Sequence, residues 1–273
     1  MSDIFKCSKP VIGMVHLPPL PGGPGYSGLS VEDLVDHAVR DAVALEEGGV
    51  DGLQVENIGD NPFMKPGQIG FEAVDLVAAV AGEVRRAVGL PVGVFVLANG
   101  VAESISAALA SGARWVRVNM YDLAYIADEG LIECGAASAG RLRIRLGMEV
   151  RVFADVLVKH GSHQIVSDLP ISYHVRRVEE LGADAVIVSG SRTGGETSVD
   201  RVAEVKHVSS RPVLVGSGMN PANAEKLLKI ADGAIIGTYF KRDGILYNPV
   251  DVERVRRLMD VVKRLRRTLG GMV

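Results

Sequence analysis

Eight short apolar runs recur along this chain, and each breaks into small or polar residues before a stretch with helical spacing begins. Three runs open with Pro-Val: Pro10 to His16, Pro91 to Leu97 and Pro212 to Val215. Four follow a small-residue corner: Gly48 to Glu56, Gly112 to Asn119, Gly182 to Ser189 and Gly233 to Gly237. In these the glycine supplies a left-handed helix cap and the apolar run then enters a sheet. The eighth, Val152 to Val158, comes after Gly147. Strands are therefore predicted to start near residues 11, 52, 92, 115, 152, 185, 213 and 234. Their apolar runs are too continuous for a half-exposed sheet, so a parallel sheet buried on both faces is expected.

The stretches between them predict helices. Ser30 to Leu45 has a capping box in Ser30 and Asp33, and apolar residues at Leu34, Val35, Ala38, Ala42 and Leu45. Phe71 to Val88 carries Arg85 and Arg86 in its last turn, where cations suit the helix dipole. Further helices are predicted over Ala102 to Ala110, Leu131 to Leu146, Tyr173 to Leu181, Ser198 to Val208, Pro221 to Ile230 and Asp251 to Leu269. Eight strand–helix units closing on themselves make a (β/α)8 TIM barrel, with a doubly wound open sheet as the alternative. The length of 273 residues suits one such barrel, typically about 250, so a single domain over 1–273 is expected.

Composition narrows the class. An apolar fraction of 47% can fill a large core, and 32 glycines suit many strand–helix corners. The net charge of −3 does not suggest nucleic-acid binding. Seven basic residues between Arg254 and Arg267 form a cluster of the kind that binds nucleic acid or a membrane surface, but Val252, Val255, Leu258, Val262 and Leu265 keep a core-facing period among them. A solvated outer face accounts for the charges. Cys7 and Cys134 are far apart and lack metal spacing, which points to a reduced, cytoplasmic setting without a disulfide. No secretory signal or membrane span is expected, and self-association into a homo-oligomer stays open.

In a barrel of this kind, chemistry sits on the C-terminal ends of the strands. The last two strands end in Gly216-Ser217-Gly218 and Gly237-Thr238, where missing or short side chains let backbone N–H groups approach an anion. Gly194 and Gly195, after the sixth strand, extend this phosphate site, and Lys241 and Arg242 add positive charge nearby. On the opposite strands the polar candidates are His16, Glu56, Asn119 and Arg117, then Asp155 and Lys159. A strand-end Glu56 among apolar walls can have its pKa raised toward that of a general base. Asp155 needs a partner if buried, and Lys159 two residues on can supply it; with a lowered pKa, Lys159 is instead an amine nucleophile. The spacing of His160 and His163 is only loosely that of metal ligands, so neither a metal nor a cofactor is expected. The proline-rich loop from Leu17 to Gly25 is long enough to be either functional or a spacer.

Together these stretches are similar to the BtpA family, which includes SgcQ-like proteins. The resemblance rests on Ile12 to Gly22, Val55 to Asn57 with Pro62 and Phe63, Val116 to Asn119, Ala154 to His160, Gly216 to Gly218, and Gly237 with Thr238. It implies a phosphate-binding barrel of the ribulose-phosphate-binding kind, and the family is named for a role in photosystem I biogenesis. The third strand departs from the family pattern: Phe95 stands where an Asn is expected, and Ala98-Asn99-Gly100 where Arg-Asn-Asp is expected, so only Asn99 is carried over. The leading expectation is an enzyme acting on a phosphorylated sugar or nucleotide-like metabolite as an isomerase, lyase or hydrolase. The alternative is a non-catalytic biogenesis or regulatory factor that keeps the pocket as a ligand sensor.

Overall fold

The structure, a computed structural model, describes residues 1–190 and 192–270. Its barrel strands are β1 (Val11–His16), β2 (Gly52–Glu56), β3 (Val92–Phe95), β4 (Trp115–Val118), β7 (Arg151–Asp155), β8 (Ala185–Val188), β9 (Val213–Val215) and β10 (Gly233–Ile236). Two further strands, β5 (Ala124–Ala127) and β6 (Gly130–Glu133), form a separate antiparallel hairpin. The helices are α1 (Val31–Gly48), α2 (Phe71–Ala87), α3 (Val101–Ser111), α4 (Ala136–Leu146), α5 (Ile171–Glu180), α6 (Val199–Val208), α7 (Ala224–Leu228) and α8 (Val252–Gly270). The eight barrel strands are all parallel and close in the order β1-β10-β9-β8-β7-β4-β3-β2, which excludes the open-sheet alternative. The strands are buried on both faces and mostly apolar, because helices cover the outside and side chains fill the inside; His16, Gln54, Glu56, Arg117 and Asp155 are buried polar exceptions.

The local signals act as their chemistry requires. Ser30 and Asp33 form the reciprocal capping box of α1, and Gly49 ends that helix at φ 95°. Gly112 does the same for α3 at φ 75°. One predicted helix is wrong at its start: Leu131 to Glu133 belong to the hairpin, and α4 begins only at Ala136. Gly130, at φ 94°, closes the two-residue turn Asp128-Glu129, and Tyr125 and Ile132 turn inward onto Met120 and Val158. The helix expected over Pro221 to Ile230 is α-helical only over Ala224–Leu228.

At the N-terminal mouth of the barrel an apolar plug fills the interior. Trp115 stacks on Phe153 at 5.6 Å and meets Phe5, which arrives from the N-terminal segment, at 5.4 Å. Two strand glycines make the room: a Cβ on Gly93 would lie 2.1 Å from the Trp115 ring, and one on Gly52 would lie 2.7 Å from Phe5. Along α8, Val255, Leu258, Val262 and Leu265 are buried, as the periodicity predicts, and Met259 joins them, while Val252 in the first turn is only half-buried. Part of its basic cluster braces the fold: Arg254 lies over Tyr239 and donates to its carbonyl, and Arg266 pairs with Asp51.

Candidate active site

The strand ends at the C-terminal mouth enclose a cavity of about 550 Å³. His16 and Glu56 are the last residues of β1 and β2, and the parallel register sets His16 beside Glu56 and Glu56 beside Phe95. Arg117, Asn119, Lys159 and His160 line the wall that follows β4 and β7. Gly194, Gly216, Ser217, Gly218, Gly237 and Thr238 line the opposite side. So four of the five candidate catalytic residues and six of the seven candidate phosphate residues border one space.

Two expected residues stand outside that lining. Asp155 is fully buried, and its partner is Arg117 rather than Lys159: Arg117 Nε and Nη2 donate to the two carboxylate oxygens at 2.7 and 3.0 Å. A bidentate pair of this kind fixes the guanidinium, which also lies over the Phe95 ring at 5.7 Å from its centroid. Asp155 is thereby a positioning group for Arg117, and Phe95 supplies the guanidinium with an aromatic face. Gly195 is the other. Its N–H donates to the Arg192 carbonyl, and its own carbonyl accepts from the Ser217 hydroxyl.

The phosphate side relies on backbone. The Ser217 hydroxyl also accepts the N–H of Gly190, so it staples two loops together. The N–H groups of Gly218, Gly237 and Thr238 make no hydrogen bond among the described residues, which leaves them for an anion. Gly218 sits at φ 70°, and a Cβ there would fall 2.1 Å from the Gly195 carbonyl. A Cβ on Gly237 would fall 2.5 Å from His16. The expected help from Lys241 and Arg242 does not materialise. Lys241 is buried against the Asp41 carboxylate of α1, and neither residue lines the cavity.

Burial sets the electrostatics of the other side. Desolvation raises the Glu56 carboxyl above its ordinary range, against the pull of Arg117 and Lys159, and its Oε2 is buried without a partner. Desolvation, reinforced by repulsion from Arg117, lowers the Lys159 ammonium from an ordinary 10.5 to about 8. His16 is held well below the usual imidazole range by its burial and by Lys241, Lys159 and Arg117, so it is neutral.

Some expectations dissolve into support. The loop from Leu17 to Gly25 does not line the cavity; the Leu20 N–H donates to Asp60 at 2.7 Å, and Gly59 packs against the backbone of Pro18 and Pro19. Asn99 is spent bridging Met120 and Glu133. His160 meets the Thr193 hydroxyl at 2.7 Å, while His163 turns to the Val158 carbonyl. Among the described residues, no three His, Cys, Asp or Glu side chains are grouped as metal ligands.

Other contributors had no clear signal in the sequence. The hairpin brings Tyr125, Asp128 and Glu129 to the rim, and Ser189, directly after β8 and beside Gly216, has a buried, unpartnered hydroxyl. The Asp128-Glu129-Gly130 stretch between two short apolar runs was the available clue to the hairpin.

A family model described as the BtpA family matches residues 7–264. The chain belongs to the BtpA family. An uncharacterized protein of Pyrococcus horikoshii is 41% identical, over 95% of this chain and 98% of that one. The photosystem I biogenesis protein BtpA of Synechocystis is 32% identical, over 94% and 89%. Among solved structures, N-(5'-phosphoribosyl)anthranilate isomerase from Pyrococcus furiosus has a similar fold, with a TM-score of 0.56 at 15% identity over 94% of this chain and 99% of that one. At that identity the likeness carries the barrel fold alone. No helix among the described residues is long and apolar enough to cross a membrane.

Proposed function

We propose that this BtpA-family barrel is an enzyme acting on a phosphorylated sugar or nucleotide-like metabolite by acid–base chemistry. The observation that carries the reading is one cavity joining unused backbone amides to a carboxyl group poised for proton transfer. The amides of Gly218, Gly237 and Thr238 hold the phosphate without a cation from their own side. Glu56, protonated to higher pH than an exposed glutamate, then gives a proton to or takes one from the far end of the ligand. Neutral His16 and Asn119 orient oxygens there by hydrogen bonding. Arg117, clamped by Asp155, supplies a fixed positive charge for a developing oxyanion. Isomerisation, carbon–carbon cleavage and glycosidic cleavage all fit this arrangement.

The name of the Synechocystis relative favours a second reading, in which the cavity senses a ligand for a biogenesis role. A thermal-shift screen of phosphorylated metabolites separates the two. A ligand at 100 times its Kd stabilises the fold by about 2.7 kcal/mol, a readily measured shift. A stabilising compound that is converted supports the enzyme, and one that persists unchanged supports the sensor. If no phosphate ester stabilises the protein, the phosphate site itself is wrong.

A further inference from the structure

Lys159, half-buried in the cavity wall, differs from the buried cations Arg117 and Lys241. Arg117 is clamped by Asp155 and Lys241 by Asp41, whereas Lys159 makes no hydrogen bond or ion pair among the described residues. Its neighbours hold it in place. Val158 packs with Met120, Tyr125 and Ile132 of the hairpin region, and its carbonyl accepts from His163, which stacks on Tyr125 at 5.2 Å. Ile126 and Ser162 exchange two backbone hydrogen bonds across the same junction. The amine thus reaches the cavity from a braced loop, and β7 stands three strands from β10 around the barrel, facing the phosphate loops.

We infer that Lys159 is an imine-forming nucleophile, and that the ligand is a phosphate ester carrying an aldehyde or ketone. The inference rests on the phosphate reading above and deepens it. The neutral Nζ attacks the carbonyl carbon, forming a C–N bond while the carbonyl oxygen takes a proton from the Glu56 carboxyl. Nζ then returns a proton to the Glu56 carboxylate. The hydroxyl departs as water with that proton, and nitrogen loses its last hydrogen to the released Glu56 base, leaving a neutral imine. One carbonyl and one amine become one imine and one water, with no oxidant or reductant consumed. The lowered pKa of the amine supplies its neutral form near neutrality.

Pyridoxal 5'-phosphate is a suitable probe, because it carries both an aldehyde and a phosphate and its imine is coloured. The expected result is a single coloured imine that borohydride fixes onto Lys159 in peptide mapping. Inorganic phosphate suppresses it, and it is absent from Lys159→Met and Lys159→Arg. The arginine variant retains the charge, so a merely electrostatic lysine would leave probe binding intact there and give no adduct in the native chain. If phosphate displaces the probe from the native protein but no adduct forms at Lys159, the imine inference is overturned and the phosphate reading survives. If an adduct forms at Lys159 but phosphate does not compete, the phosphate-anchored ligand is overturned together with the reading beneath it. Circular dichroism of both variants confirms that the barrel is folded in each comparison.

Discussion

The two mouths of the barrel are closed by the same eight strands and have opposite chemistry. At the N-terminal mouth, Ile4, Phe5, Trp115 and Phe153 seal the interior, and the one indole N–H is answered by Gln54 Oε1 at 2.9 Å, with Gln54 Nε2 left buried without a partner. At the C-terminal mouth, His16 Nδ1, Glu56 Oε2 and Ser189 Oγ are buried with no partner. An unsatisfied buried polar atom costs about 1–3 kcal/mol, so the second mouth is assembled at the expense of stability. The plug contributes that stability through aromatic packing. Labour is divided along the barrel axis: one end holds the fold together, and the other holds polar groups in readiness for a ligand.

This contrast can be broken from either end. The largest effect is expected from Glu56→Gln, which keeps shape but removes the proton-transfer group; turnover should fall roughly 10²–10⁴-fold, as measured on the metabolite found by the thermal screen. The same variant should be more stable than the native chain near neutral pH. Because the folded Glu56 carboxyl titrates above its ordinary range, its stabilising contribution is complete in acid and disappears as pH rises through the raised pKa. Denaturant titrations at several pH values read this directly, and a flat difference between variant and native would contradict it.

Trp115→Ala should cost about 3–5 kcal/mol in a urea titration, since it opens a cavity at the plug and strands Gln54. Ligand-induced stabilisation should survive wherever the variant is folded, because Trp115 is remote from the cavity lining. A large loss of ligand response with little loss of stability would erase the distinction between the mouths.

Lys159→Met tests the electrostatic cost at the open end. A lysine lowered from 10.5 to about 8 binds its proton less well in the folded state, so native stability should climb between those pH values. In the methionine variant that climb should vanish. The smallest change is expected from Thr238→Val, which removes one hydroxyl at the phosphate loop. Phosphate-ester affinity should weaken roughly 5–10-fold, about one hydrogen bond, with the melting temperature of the free protein unchanged.

The barrel was legible in the sequence because each strand is a local statement: an apolar run bounded by Pro-Val or a glycine corner needs no distant partner to be recognised. The hairpin was not, since Leu131 and Ile132 before a helical stretch read equally well as its first turn, and only packing against Val158 decides otherwise. The glycine-ended strands identified the candidate phosphate loops for the same local reason. Their supposed cations failed because Lys241 finds a carboxylate 200 residues away.

By itself the chain thus determined its eight-unit periodicity, the ends at which small residues gather, and the polar types available there. Tertiary structure decided their pairing. Arg117 and Asp155 lie 38 residues apart, yet β4 and β7 are neighbouring strands whose register sets Arg117 beside Phe153, two residues before Asp155, so the long guanidinium reaches the carboxylate diagonally and Lys159 is left without the partner expected for it. Charge pairing depends on distance in space and on access to water, and a parallel barrel sets both by strand register, which no local stretch of sequence contains.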